Sequence, residues 1–335
     1  MQIEADTRSI PALPKHRGGA WRDVAGILLI AVAGAAGYFL FPDSLALLTR
    51  VTALAMLALS LDLVVGYCGV ATLGQAALFG AGAYAAGIAC VSGVTEPLSL
   101  LLIGAVAGAA AGLVMGGIML RAHGLAQLVL SIAIVQLFHE AANKASSYTG
   151  GSDGLAGLTV GPLFGIFAFD LWGRTAYLLG VVILVAVFAA LKFVVASPFG
   201  MMCRGIKEDP IRIRSMGAFV SPVLLKMFVI SGAVAGTGGA LAAISTQVVG
   251  LDSVSFELSA NALVMLVLGG IGTLYGAIVG TIIFMAFEHV VSAINPFHWM
   301  TMVGALLIAV VIAAPRGLGG LVARLWTPSR HGERP

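Results

Sequence analysis

Apolar residues run along this chain in long unbroken blocks, with neither the alternation of a half-buried strand nor the narrow stripe of a surface helix. Charge is absent from 24–42, 63–95, 97–120, 227–251 and 258–287. Most of these stretches exceed the roughly 20 residues that carry a helix across a hydrocarbon core. The pattern predicts helical spans at 24–41, 45–65, 70–91, 97–120, 125–142, 175–195, 223–247 and 299–315, with a broken stretch at 258–291. The expected fold is an all-α polytopic membrane protein. It has about eight to ten transmembrane helices, some discontinuous and broken at glycine.

Composition agrees. The 335 residues are 59% hydrophobic and only 10% charged, with a mean hydropathy of +1.03. A chain so poor in polar surface could not cover its core in water, whereas helices satisfy their backbone internally in lipid. The alternating ~10-residue segments of a membrane barrel are missing. The first apolar run follows a charged tail, and no small-residue cleavage site comes after it, so no signal peptide is expected.

Charge sets the expected sidedness. With the N-terminus inside, Arg8, Lys15, Arg17, Arg22 and Arg121 fall in the cytoplasm, as does the loop between the sixth and seventh spans. Asp43, Glu96, Glu140, Asp153, Asp170, Asp252 and Glu257 fall outside, with only Arg50, Lys144 and Arg174 among the bases there. This is a positive-inside distribution. Arg316, Arg324, Arg330 and Arg334 then require 258–291 to enter and return as a hairpin, so that both termini are cytoplasmic. The division is a tail at 1–23, a membrane domain at 24–316 with a cytoplasmic loop at 196–222, and a second tail at 317–335.

Glycine supplies the means of breaking helices. One cluster includes Gly66, Gly69 and Gly74, and a second includes Gly269, Gly270, Gly272 and Gly276. Paired interruptions in the two halves of a transporter point to its pathway, while close helix packing through small residues is the other reading. Asp62 lies inside an apolar run, where a carboxylate is costly and a functional candidate. It is expected either to face a pathway or to be a structural group satisfied by Tyr67, Thr72 or Gln75.

The segment Lys192–Lys226 holds six bases (Lys192, Arg204, Lys207, Arg212, Arg214, Lys226) against Glu208 and Asp209. A long basic loop at the cytoplasmic face can grip a partner. It can also simply set topology. Motifs for chemistry are missing: there is no GxxxxGK[ST], HExxH or G-x-S-x-G. Cys68, Cys90 and Cys203 form neither a zinc spacing nor a disulfide framework, and the six histidines have no metal spacing. Thr149–Gly154 (TGGSDG) is expected to be a turn in the longest outer loop.

Residues 61–84, LDLVVGYCGVATLGQAALFGAGAY, resemble the LNLLxGYxGxxSLGHAAFFGxGAY pattern of ABC permeases of the branched-chain amino acid (LivH/LivM) family. TGGSDGL at 149–155, SPFG at 197–200, VLGGIGTLYG at 267–276 and APRGL at 314–318 are similar to the LivM branch and occur in the same order. The resemblance implies a permease subunit of the bacterial inner membrane, not an enzyme and without a cofactor of its own. Its implied partners are a LivH-type second permease, two cytoplasmic ATP-binding subunits that use the ATP, and a periplasmic solute-binding protein, with no nucleic acid. Arg204, Lys207, Glu208, Asp209, Arg212, Arg214 and Gly217 are then the expected ATPase-coupling residues. Asp62, Tyr67, Gly69, Thr72, Gly74, Gln75, Gly270 and Gly272 are the expected substrate pathway. The chain departs from the pattern at Asp62 (usually Asn), Thr72 (Ser), Gln75 (His), Arg214 (an acid) and Pro210, which interrupts the loop helix. The solute stays open between branched-chain amino acids, urea, amides and other carboxylates. A stand-alone secondary transporter or channel using Asp62 as an ion or proton site is the alternative.

Overall fold

A computed structural model describes residues 19–162 and 173–294, with scattered positions between 301 and 308. The expected span at 299–315, both charged tails and Asp170 lie largely or wholly outside them. The helices in chain order are α1 (Gly19–Leu40), α2 (Leu45–Leu61), α3 (Gln75–Val91), α4 (Pro97–Met119), α5 (Leu125–Lys144), α6 (Ser146–Thr149), α7 (Arg174–Ala196), α8 (Pro198–Glu208), α9 (Pro210–Ser215), α10 (Val220–Thr246), α11 (Phe256–Gly269) and α12 (Leu274–Ile294). Among the described residues the only strand-like pairing is an isolated bridge between Leu155 and Val249.

Among the described residues, six helical segments are long and apolar enough to span a membrane: Pro42–Tyr67, Pro97–Met119, Leu125–Lys144, Arg174–Ala196, Val220–Thr246 and Leu274–Ala293. Gly26–Leu40, Gln75–Val91 and Phe256–Gly269 are shorter apolar helices. The molecule is thus a multi-pass, all-α membrane protein. The 14 residues of α11 reach only about 21 Å at 1.5 Å per residue, less than the ~30 Å of a hydrocarbon core. The chain then turns at Gly270–Thr273 and returns as α12, so the broken stretch is the expected hairpin. Arg50, at the start of α2, pairs with Glu288, near the end of α12, at 3.6 Å, which places these two helix ends side by side.

The core is built on α10, which packs against α2, α3 and α4. Glycine makes the close approach possible. A Cβ on Gly108 of α4 would sit 2.2 Å from the Gly232 carbonyl of α10, and one on Gly236 would sit 2.2 Å from the Gly104 carbonyl. Backbones this near gain packing contact that lipid tails cannot match. Leu102, Val106 and Leu113 on α4 and Val182 on α7 are exposed, as lipid-facing side chains should be.

The basic loop is structured. Ser197 caps α8 by accepting from the Gly200 N–H, with Pro198 in the first turn, where a missing N–H costs nothing. Pro210 does not kink a helix; it starts one. Asp209 accepts from the Ile211 and Arg212 N–H groups at 2.9 and 3.0 Å, so the acid and the proline together form the N-terminus of α9. Gly217, at φ +85°, ends it.

Candidate functional site

The two glycine-rich breaks, far apart in sequence, meet at one point. After α2 the helix widens into a π-helical turn over Asp62–Tyr67 and then unwinds until α3 begins at Gln75. Asp62 is fully buried. Its Oδ1 accepts from the Gly272 N–H at 2.6 Å, so the carboxylate closes the open backbone of the second break. Gly272 has φ +83° and Gly270 φ +108°, conformations that a side chain resists. A Cβ on Gly66 would lie 2.7 Å from the Gly272 nitrogen, so glycine is required where the breaks touch.

Helix α8 covers this junction. Gly200, Cys203 and Ile206 are its buried residues, spaced to give one inward face. From that side Lys207 extends to the first break, its Nζ donating to the Gly66 carbonyl at 2.6 Å. The Arg204 guanidinium lies over the Tyr67 ring, 5.2 Å from its centre, and the Tyr67 hydroxyl meets Arg204 and the Leu274 backbone. The Cys203 and Cys68 thiols are neighbours across this contact. Gly69, at φ +71°, packs against the Lys207 side chain. Lys192, at the end of α7, stacks its ammonium on Tyr275, 4.4 Å from the ring centre.

Five expected pathway residues (Asp62, Tyr67, Gly69, Gly270, Gly272) and two expected loop residues (Arg204, Lys207) therefore gather in one cluster. Away from it, α8 and α9 turn an amphipathic surface outward: Ile211, Met216 and Phe219 are 73%, 75% and 81% exposed, beside the exposed Glu208, Asp209, Arg212 and Arg214. The bases there alternate with large apolar side chains.

The comparisons with known proteins bear on the same segments. Residues 44–311 match the family described as branched-chain amino acid transport system / permease component. The chain belongs to this family. Over 312 residues it is 27% identical to the high-affinity branched-chain amino acid transport system permease protein LivM of Salmonella typhimurium, covering 87% of this chain and 73% of that protein. With LivM of Escherichia coli K12 it is 26% identical over 284 residues, 78% and 67% of the two chains. With LivH of Salmonella typhimurium it is 31% identical over 141 residues, 42% and 46% of the two chains. No solved structure matches.

In this permease the remaining expected pathway residues, Thr72, Gly74 and Gln75, form a second group at the start of α3. The first N–H groups of a helix have no partner inside it, and here they are buried. Ser131 of α5 accepts from Leu73 N–H at 2.9 Å, Thr72 Oγ1 from Gly74 N–H at 3.0 Å, and Ser259 of α11 from Ala76 N–H at 3.0 Å. Gln75 donates to Ser231 Oγ at 3.1 Å, and Ser231 donates to the Ser60 carbonyl at 2.8 Å. The three serine hydroxyls, of Ser131, Ser231 and Ser259, were not singled out from the sequence. The available signal was single hydroxyls isolated in apolar helices, each needing a partner.

At the opposite end the permease is open. A cavity of about 620 Å³ lies between the first turns of α2 and α7 and the last turn of α10. Thr49, Arg50, Gln247 and Asp252 give it polar lining, and Ala53, Leu54, Phe79 and Leu258 apolar lining. Nearby, Thr149–Gly154 is the expected turn: Gly150, Gly151 and Gly154 all have positive φ, and Thr149 Oγ1 donates to the Ala142 carbonyl at 2.6 Å. Among the described residues no cluster of His, Cys, Asp and Glu could hold a metal.

Proposed function

We propose that this chain is the LivM-type membrane subunit of an ATP-driven importer of branched-chain amino acids or a related small solute, resident in the bacterial inner membrane. It works with a LivH-type permease, two cytoplasmic ATP-binding subunits and a periplasmic solute-binding protein, and carries no cofactor. The observation that supports this best is the position of α8. Its inward face holds the first helix break through Lys207 and Arg204, and Asp62 ties that break to the second, while the neighbouring α9 segment exposes Ile211, Met216 and Phe219 among bases. A partner that moves the exposed side moves the breaks. Apolar anchors give such a contact its affinity, and the charges fix its register.

The cavity faces the periplasm and the junction of the breaks seals the cytoplasmic end, in keeping with a resting state that receives solute from a binding protein. Its mixed lining suits a small molecule with polar ends and an apolar body. Selectivity resides mainly in the binding protein, so this chain alone binds solute weakly. Asp62 Oδ1 accepts from the Gly272 N–H, which gives this residue a structural part at the junction in place of a free carboxylate in an open path. The test is uptake by the complex in proteoliposomes. Import that needs ATP on the cytoplasmic side and survives a protonophore supports the proposal; import by this chain alone that a protonophore abolishes refutes it.

A further inference from the structure

The hydrogen bonds at the junction of the breaks do not balance. Lys207 carries an ammonium with three donors, one of which is placed on the Gly66 carbonyl. Asp62 carries two carboxylate oxygens. Oδ1 accepts from Gly272, while Oδ2 is buried without a hydrogen-bond partner. A bare carboxylate oxygen in the interior is expensive, and helix packing alone gives no reason for it. The cation whose charge acts on this carboxylate is Lys207. Its Nζ lies 3.9 Å from where a side chain on Gly272 would begin, and Gly272 is the residue that Asp62 Oδ1 holds, so the ammonium is near the carboxylate, short of an ion pair with it, while bonded to another acceptor.

We infer that Asp62 and Lys207 form a two-setting latch on the inner gate. In the setting observed, Lys207 holds the Gly66 carbonyl and so fastens α8 to the Asp62–Tyr67 turn. In the other, displacement of α8 carries the ammonium onto Asp62 Oδ2. Gly66 is released, and the turn parts from the Gly270–Thr273 break. A compact ammonium on a flexible stem suits such an exchange. It is bonded in both settings, which is what two discrete arrangements of a packed element require. This role rests on the importer reading and sharpens it: Lys207 is a positioning residue of the gate and does not contact the ATP-binding subunit.

The test uses the whole complex in proteoliposomes, with uptake and ATP hydrolysis followed together. Lys207→Met lowers uptake by about tenfold or more, the factor expected for one hydrogen bond from a charged group. ATP hydrolysis persists, so the ATP used per solute rises. Asp62→Asn keeps an acceptor for Gly272 and shifts the ratio in the same direction. The double variant is no worse than the more affected single variant, as expected of coupled partners. Copurification of all subunits verifies assembly. Should Lys207→Met fail to assemble, Lys207→Gln, which keeps a donor for Gly66, takes its place. Hydrolysis and uptake falling in proportion, both staying at wild-type level, or additive losses in the double variant would each overturn the latch. Wild-type uptake that ignores ATP would instead refute the importer reading itself.

Discussion

Asp62 and Gly272 lie 210 positions apart in the chain and are joined by a 2.6 Å hydrogen bond from the Gly272 N–H to Asp62 Oδ1. The bond ties the end of α2 to the turn of the α11–α12 hairpin. Backbone groups at a helix break have lost their helical partners, and in a membrane water does not replace them. A carboxylate from one break serving an N–H of the other meets the need of both at once.

Gly272→Ala tests that junction. Its φ of +83° costs an L-residue roughly 1–2 kcal/mol. ATP-driven uptake is expected to fall severalfold while membrane insertion stays normal. Equal uptake and an unchanged thermal midpoint for the purified complex would show that this backbone geometry is dispensable.

Ser231→Ala removes the acceptor of the Gln75 amide and the donor to the Ser60 carbonyl. A buried polar group left unpaired costs about 1–3 kcal/mol. Thermal unfolding in detergent should therefore occur several degrees lower. Pairing Ser231→Ala with Gln75→Leu should recover part of the loss, because the stranded amide is gone. A double variant less stable than either single variant would contradict this account.

Gly217→Val acts outside the core. No atom comes within 4 Å of a Cβ placed there, yet φ is +85°, so the substitution strains the turn after α9 without a clash. Under the proposed coupling role, uptake drops by about an order of magnitude, as for a strain of 1–3 kcal/mol at a working surface. Insertion and yield hold. Normal uptake would count against coupling through this segment.

The Cys68 and Cys203 thiols are neighbours on opposite sides of the α8 contact. Diamide, a thiol oxidant, should join them into a disulfide, pin α8 to the first break and arrest transport, with recovery after dithiothreitol. Cys203→Ala should make uptake indifferent to diamide. Continued transport by a protein shown by mass spectrometry to carry the 68–203 bond would mean that α8 need not move.

Much of the architecture is legible in the sequence because its causes are local. Uncharged blocks give the spans, whereas Pro210, read from the sequence as an interruption, proves to start α9 with Asp209 as its cap. Glycine clusters mark where helices end. The observed helices differ from expectation mainly at such ends: α3 starts at Gln75, five residues after the expected boundary, since its first turn needs Ser131 and Ser259 from other helices.

Partner choice was not legible. Asp62 stood out because a carboxylate is costly in an apolar run, but no spacing shows that it meets Gly272 and leaves Thr72 and Gln75 to a separate serine network. Lys207 reads as one base among six in a loop. Only the folded chain shows that its stem turns inward while Arg212 and Arg214 stay on the surface.

The chain by itself determined that this is a helical membrane protein of the branched-chain amino acid permease family, because hydrophobic length and family motifs are written in consecutive residues. Tertiary structure decided that two distant breaks and a basic loop meet at one junction. That choice depends on long-range packing, where α10 brings its neighbours within glycine distance and buried polar groups must find partners wherever the fold places them.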